Sequence, residues 1–365
     1  MRKRIEIGLL YSLSGTYRLP SESCRSGALS AIAAVNADPE SPIEIVPVER
    51  DPAGNIDRYA PLAEDILRNT GARHIIGCIT SWSRKEVIPA LEKHGGTLWY
   101  AAPYEGFEAS DNVVYMHACP NQHILPLITY VIPRFGARAF LVGSNYIWGW
   151  EVNRVARDLI GDAGGMVLGE RYLALGDEDV GRLIAELRTQ RPNFILNNFV
   201  GATSYAFFEA YAALAREDEW FRPETCPLIS CNLTEAELPA IGTAGDGHLS
   251  AGPFFDIGGG STATGLRSSF MMAAHSAVLV LAEMLMRDAG IERRLDFAGR
   301  TFDTPLGRIA IDPRTHHTHL PVRIARIAGG RFELVEDHPG LVAPDPYLSR
   351  YDPHTAFGRA NLRVV

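Results

Sequence analysis

The strongest constraint on this chain is an alternation. Short β-branched runs at residues 5–10, 43–49, 74–78, 97–100, 139–143, 166–172, 194–200, 227–231 and 249–253 are separated by amphipathic stretches. In one of these, Val152, Val155, Ala156, Leu159 and Ile160 recur at the spacing that lays a single apolar stripe along a helix. Another, carrying Ile184 and Leu187, follows the acidic helix-starting run Asp177-Glu178-Asp179. Strand then helix, repeated, predicts parallel sheets covered on both faces. A chain of 365 residues is long enough for two such units at about 100 to 200 residues per domain. Ligands of these sheets bind beyond the carboxyl ends of the strands, so the residues just after each strand are the ones to read for function.

Charge and composition exclude several classes. Thirty-five Lys+Arg against 43 Asp+Glu leave a net charge of −8, without the basic surface that direct nucleic-acid binding needs. The five cysteines (Cys24, Cys78, Cys119, Cys226, Cys231) are scattered and form no CxxC pair, which points to reduced thiols rather than a disulfide framework or zinc cluster. After the basic start the apolar run covers only residues 5–10, too short for a signal sequence or a membrane span. The expected location is the cytoplasm, or the periplasm if a leader has been removed. No GxSxG elbow or P-loop is present, so neither enzymatic chemistry nor a cofactor is expected. The cluster His316-His317-Thr318-His319 lacks a completing carboxylate or cysteine and reads as an exposed strand start. The Gly258-Gly259-Gly260-Ser261 run reads as a mobile connector, followed by an apolar helix near residues 268–288 and three hairpin-like strands.

The residues after the strands are aromatic or hydroxyl-bearing: Ser81, Tyr100, Pro103, Tyr104, Tyr146 and Trp148. Such a set suits a small, planar, uncharged ligand.

At these residues the chain resembles the amide-sensing negative regulators of bacterial aliphatic amidase operons, relatives of the type I periplasmic binding proteins for branched-chain amino acids and urea. The resemblance runs from Ile7 to about Pro346. It is carried by Asp51-Pro52-Ala53-Gly54, Pro103-Tyr104-Glu105-Gly106-Phe107-Glu108, Ala118-Cys119-Pro120-Asn121-Gln122, Gly143-Ser144-Asn145-Tyr146-Ile147, Val200-Gly201, Thr234-Glu235-Ala236-Glu237 and Pro344-Asp345-Pro346-Tyr347, in this order. It implies an α/β type I periplasmic-binding-protein fold of two doubly wound parallel-sheet domains joined by a multi-crossing hinge. The expected halves are residues 1–119 plus 254–330, and 120–253 plus 331–365. It also implies a ligand site at Ser81, Tyr100, Pro103 and Tyr146, with Val200 beside them. The sequence departs from the family pattern at Trp148 (a tyrosine there), at Ala102 (a threonine), and at Asn232 and Leu233 before the Thr-Glu-Ala-Glu segment. Loss of bulk at Ala102 suggests an amide larger or flatter than acetamide. The resemblance further implies that closure on a short amide or urea-like ligand controls an RNA-binding antitermination regulator, with a homodimer left open. The competing reading is an exported substrate-binding protein of an ABC transporter for amides, urea or branched-chain amino acids.

Overall fold

The computed structural model describes residues 2–106, 108–257, 267–287, 295–338 and 340–358. The first sheet is parallel throughout. Its strands are β1 (Lys3–Leu10), β2 (Ile43–Arg50), β3 (His74–Gly77), β4 (Thr97–Tyr100) and β5 (Val113–Tyr115), in the order β2-β1-β3-β4-β5. β5 has no counterpart among the predicted strands, because three residues carry too short an apolar run to stand out. The second sheet places β6 (Arg138–Ser144), β7 (Met166–Leu173), β8 (Phe194–Asn198), β9 (Leu228–Ser230) and β10 (Leu249–Gly252) in the order β7-β6-β8-β9-β10, again parallel. A small hairpin of β11 (Phe302–Thr304) and β12 (Gly307–Ile309) follows. β13 (Arg323–Ala328) then joins β10 antiparallel, and β14 (Arg331–Asp337) closes the edge.

Both sheets reverse winding direction at their earliest strand. β1 has β2 on one side and β3 on the other, and β6 lies between β7 and β8. That reversal opens a crevice at the carboxyl ends, since the two flanking connections run to opposite faces.

The apolar helix Ser269–Arg287 returns to the first half and packs on helix Arg18–Ala37. Its length and apolarity would suffice to cross a membrane, but 78% of its apolar window is buried within the protein. The two helices touch at Gly27, where a Cβ would stand 2.1 Å from the Met271 carbonyl oxygen. Only glycine allows that approach.

The chain passes between the halves near Cys119, which belongs to the first core, and Ile124, which belongs to the second. It passes back beyond β10. A third passage follows Ile311, which fills the first core, and precedes Ile324, which fills the second. The sequence expectation of 254–330 for the returning segment is therefore corrected at its end: Ile324, Ala325 and Ile327 of β13 pack into the second half. The crossing segments are tied to one another. Gln122 Nε2 donates to the carbonyls of Thr318 at 3.0 Å and Val342 at 2.8 Å, and Asn121 Nδ2 donates to Ala343 at 2.9 Å.

The histidine cluster is not an exposed strand start. His317 bridges to Tyr115 at the edge of the first sheet and is buried, its ring stacked on that of Tyr115 at 4.0 Å. No metal-holding group of side chains occurs among the described residues. The expected connector at Gly258-Gly259-Gly260-Ser261 and the family residue Phe107 lie outside the described residues.

Candidate functional site

The reversal points of the two sheets face each other. From the first come Ile79, Thr80 and Ser81 after β3, and Tyr100, Ala102 and Pro103 at the end of β4. From the second come Tyr146 and Trp148 after β6, and Val200 and Gly201 after β8. Together with Tyr17, Pro20, Asn232, Glu237 and Phe270 they enclose a cavity of about 40 Å³. In this measure one water occupies roughly 10–15 Å³, so the space holds about three or four water-sized groups. Trp148 and Ala102 both line this space.

Of the site residues expected from the sequence, Ser81, Tyr100, Ala102, Pro103, Tyr146, Trp148, Val200 and Asn232 line this cavity. Leu233 does not. It packs in the second half's core, and its carbonyl accepts from Ser250 Oγ at 2.8 Å. Tyr17, Phe270 and Glu237 were not singled out by sequence reasoning. Tyr17 does follow β1 and so obeys the strand-end rule, whereas Phe270 arrives on a helix from the other end of the chain.

Local structure explains each position. Thr80 caps helix Ser81–His94 by exchanging hydrogen bonds with Ser83, which relieves Ser81 of the capping role. Ser81 Oγ donates instead to Glu105 Oε2 at 2.8 Å. Glu105 and Glu108 clasp the fully buried guanidinium of Arg84, with Nη2 2.5 Å from Glu105 Oε1 and Nε 2.5 Å from Glu108 Oε1. Burial alone would lower the Arg84 pKa, but the two carboxylates hold it well above its ordinary value. The rings of Tyr100 and Tyr104 cover the guanidinium at 4.6 and 5.0 Å, so it is shielded from solvent by faces that attract a cation.

On the opposite lip, Tyr146 precedes helix Ile147–Asp162 and stands edge-on to Tyr17 at 6.3 Å between ring centres. The Trp148 indole is buried, and its Nε1–H has no hydrogen-bond partner among the described residues. An indole nitrogen can only donate, so this buried N–H lacks an acceptor among the described residues. Glu237 Oε1 accepts from Tyr205 at 3.1 Å, and burial pushes its pKa up to about 7.

Two lobes with a ligand-sized cavity at their facing reversal points define a class of small-molecule binding proteins. A family model described as a periplasmic binding protein domain matches residues 5–285 and 263–353, and the chain belongs to that family. Among solved structures, an R. palustris ABC-transporter solute-binding protein in complex with benzoate superposes with a TM-score of 0.82 at 18% identity, covering 94% of this chain and 98% of that one. The branched-chain amino acid transporter substrate-binding protein LivJ from Streptococcus pneumoniae, in complex with isoleucine, gives 0.78 at 14%, covering 94% and 100%. The leucine-binding protein LivK from Thermotoga maritima gives 0.77 at 14%, covering 91% and 98%. At such identities the likeness is one of fold.

Proposed function

We propose that this protein is a solute-binding protein that closes on a short amide or urea-like molecule and delivers it to an ABC permease. The observation that carries the ligand class is the cavity of about 40 Å³ with its unpartnered indole N–H. A carbonyl satisfies that donor, while benzoate and isoleucine, the ligands of the relatives, exceed the space. The transport role is supported by the relatives, which are named as transporter components. In family members of this kind the usual setting is the periplasm.

A second reading keeps the ligand and changes the recipient. The run of segments resembling amide-sensing regulators supports a sensor whose closure controls an RNA-binding antitermination regulator. In either case the ligand acts by favouring the closed form over the open one.

Calorimetry with acetamide, propionamide, urea, benzoate and isoleucine tests the ligand class. Saturable heat is expected with the amides or urea; binding of isoleucine or benzoate alone overturns it. Loss of labelled-amide uptake on gene deletion selects transport, whereas a ligand-free protein that captures an antitermination regulator and releases it with acetamide selects the sensor.

A further inference from the structure

We infer that Glu105 sets the ligand's polarity by fixing the direction of the Ser81 hydroxyl, so that Ser81 accepts a hydrogen bond from the ligand and discriminates an amide from its carboxylate counterpart. This rests on the proposed ligand class and deepens it. Glu105 is wholly buried and does not line the cavity, which makes it a positioning residue. One of its oxygens, Oε1, is taken by Arg84 Nη2 at 2.5 Å, and the other, Oε2, accepts the Ser81 proton at 2.8 Å.

A serine hydroxyl has a single proton and two lone pairs. With the proton committed to Glu105, the cavity meets lone pairs only. Trp148 lines the same cavity, and its unpartnered Nε1–H is a donor that cannot accept. An amide or urea supplies a carbonyl for the indole and an N–H for Ser81. A carboxylate of the same size supplies acceptors alone and sets one of them against the Ser81 oxygen.

The arrangement is reversible by one atom. In Glu105→Gln the side-chain carbonyl stays with Arg84, which can only donate, and the new NH₂ faces Ser81. Ser81 then accepts from the glutamine and turns its proton into the cavity, where it suits a carboxylate. Glu108 still holds Arg84 in this variant, at 2.5 Å from Nε and 2.8 Å from Nη2.

Acetamide and acetate are titrated by calorimetry against wild type, Glu105→Gln and Ser81→Ala, with thermal unfolding run beside each. Wild type is expected to prefer acetamide by about tenfold or more, Glu105→Gln to shrink or invert that ratio, and Ser81→Ala to weaken acetamide by about tenfold while leaving acetate within about twofold. The Ser81→Ala arm decides the matter if Glu105→Gln does not fold. Equal weakening of both ligands in Ser81→Ala, or an unchanged ratio in folded Glu105→Gln, overturns the inference while the amide reading stands. Absence of amide or urea binding to wild type overturns that reading and this inference together.

Discussion

A guanidinium with no solvent contact has to find its compensation inside the protein, and Arg84 does so with two carboxylates and two tyrosine rings. Arg84→Met would leave the carboxylate of Glu105 buried without its cationic partner, and a loss of about 3 to 5 kcal/mol in unfolding free energy is expected in denaturant titrations. Trp148 is the opposite case: a buried indole N–H without a partner among the described residues. Trp148→Phe keeps the ring and removes the donor, so amide affinity should fall by roughly 0.5 to 1.5 kcal/mol when measured by calorimetry. Unchanged affinity would mean that the indole N–H does not meet the ligand.

At the scale of the element, helix Ile147–Asp162 carries one lip of the cavity, and its position depends on Gly149. A Cβ there would stand 2.3 Å from the Ser144 carbonyl oxygen at the end of β6. Backbone cannot swing aside as a side chain can, so Gly149→Ala should push the helix start off the sheet. The expected cost is about 1 to 3 kcal/mol of stability, together with weaker ligand binding as Tyr146 and Trp148 shift. Gly161 lies in the same helix with nothing within 4 Å of its would-be Cβ. There alanine should stabilise by about 0.4 to 1 kcal/mol and leave binding untouched. Thermal unfolding and calorimetry on the two variants separate the packing effect from the general helix preference.

For the whole molecule, burial sets opposing pH limbs. His117, His248 and His317 are pulled down by burial to about 3, and His123 to about 4, from an ordinary 6.5. Their unfolded counterparts take up protons first, so stability is lost as the pH falls below about 6.5. Glu235 and Glu237 are pushed up by burial to about 8 and 7, from an ordinary 4.5. Their unfolded counterparts ionise first, so stability is lost as the pH rises from about 4.5 towards 7 and 8. Between these limits the four histidines outweigh the two glutamates. The ligand-free protein should thus be most stable near pH 6.5 and lose on the order of 2 kcal/mol by pH 8. Denaturant unfolding across pH checks this, and Glu235→Gln should flatten most of the limb between about pH 6.5 and 8; an alkaline limb of the same steepness in that variant would remove Glu235 from the account.

The alternation of β-branched runs with helical stripes determined the two wound sheets, and with them the rule that placed Ser81, Tyr100, Tyr146 and Trp148 just beyond strand ends. Those features follow from neighbouring residues and the backbone periods they obey. Charge and composition likewise depend on no contact. The tertiary structure decided which distant segments meet. Only folding put Phe270 and Glu237 into the cavity, stacked His317 on Tyr115, gave β13 to the second sheet and brought the Ser81 hydroxyl to Glu105. It also decided that Leu233 turns into the core. Whether a side chain is buried, paired or left facing a cavity is a property of what packs against it, and periodicity along the chain carries no record of that partner.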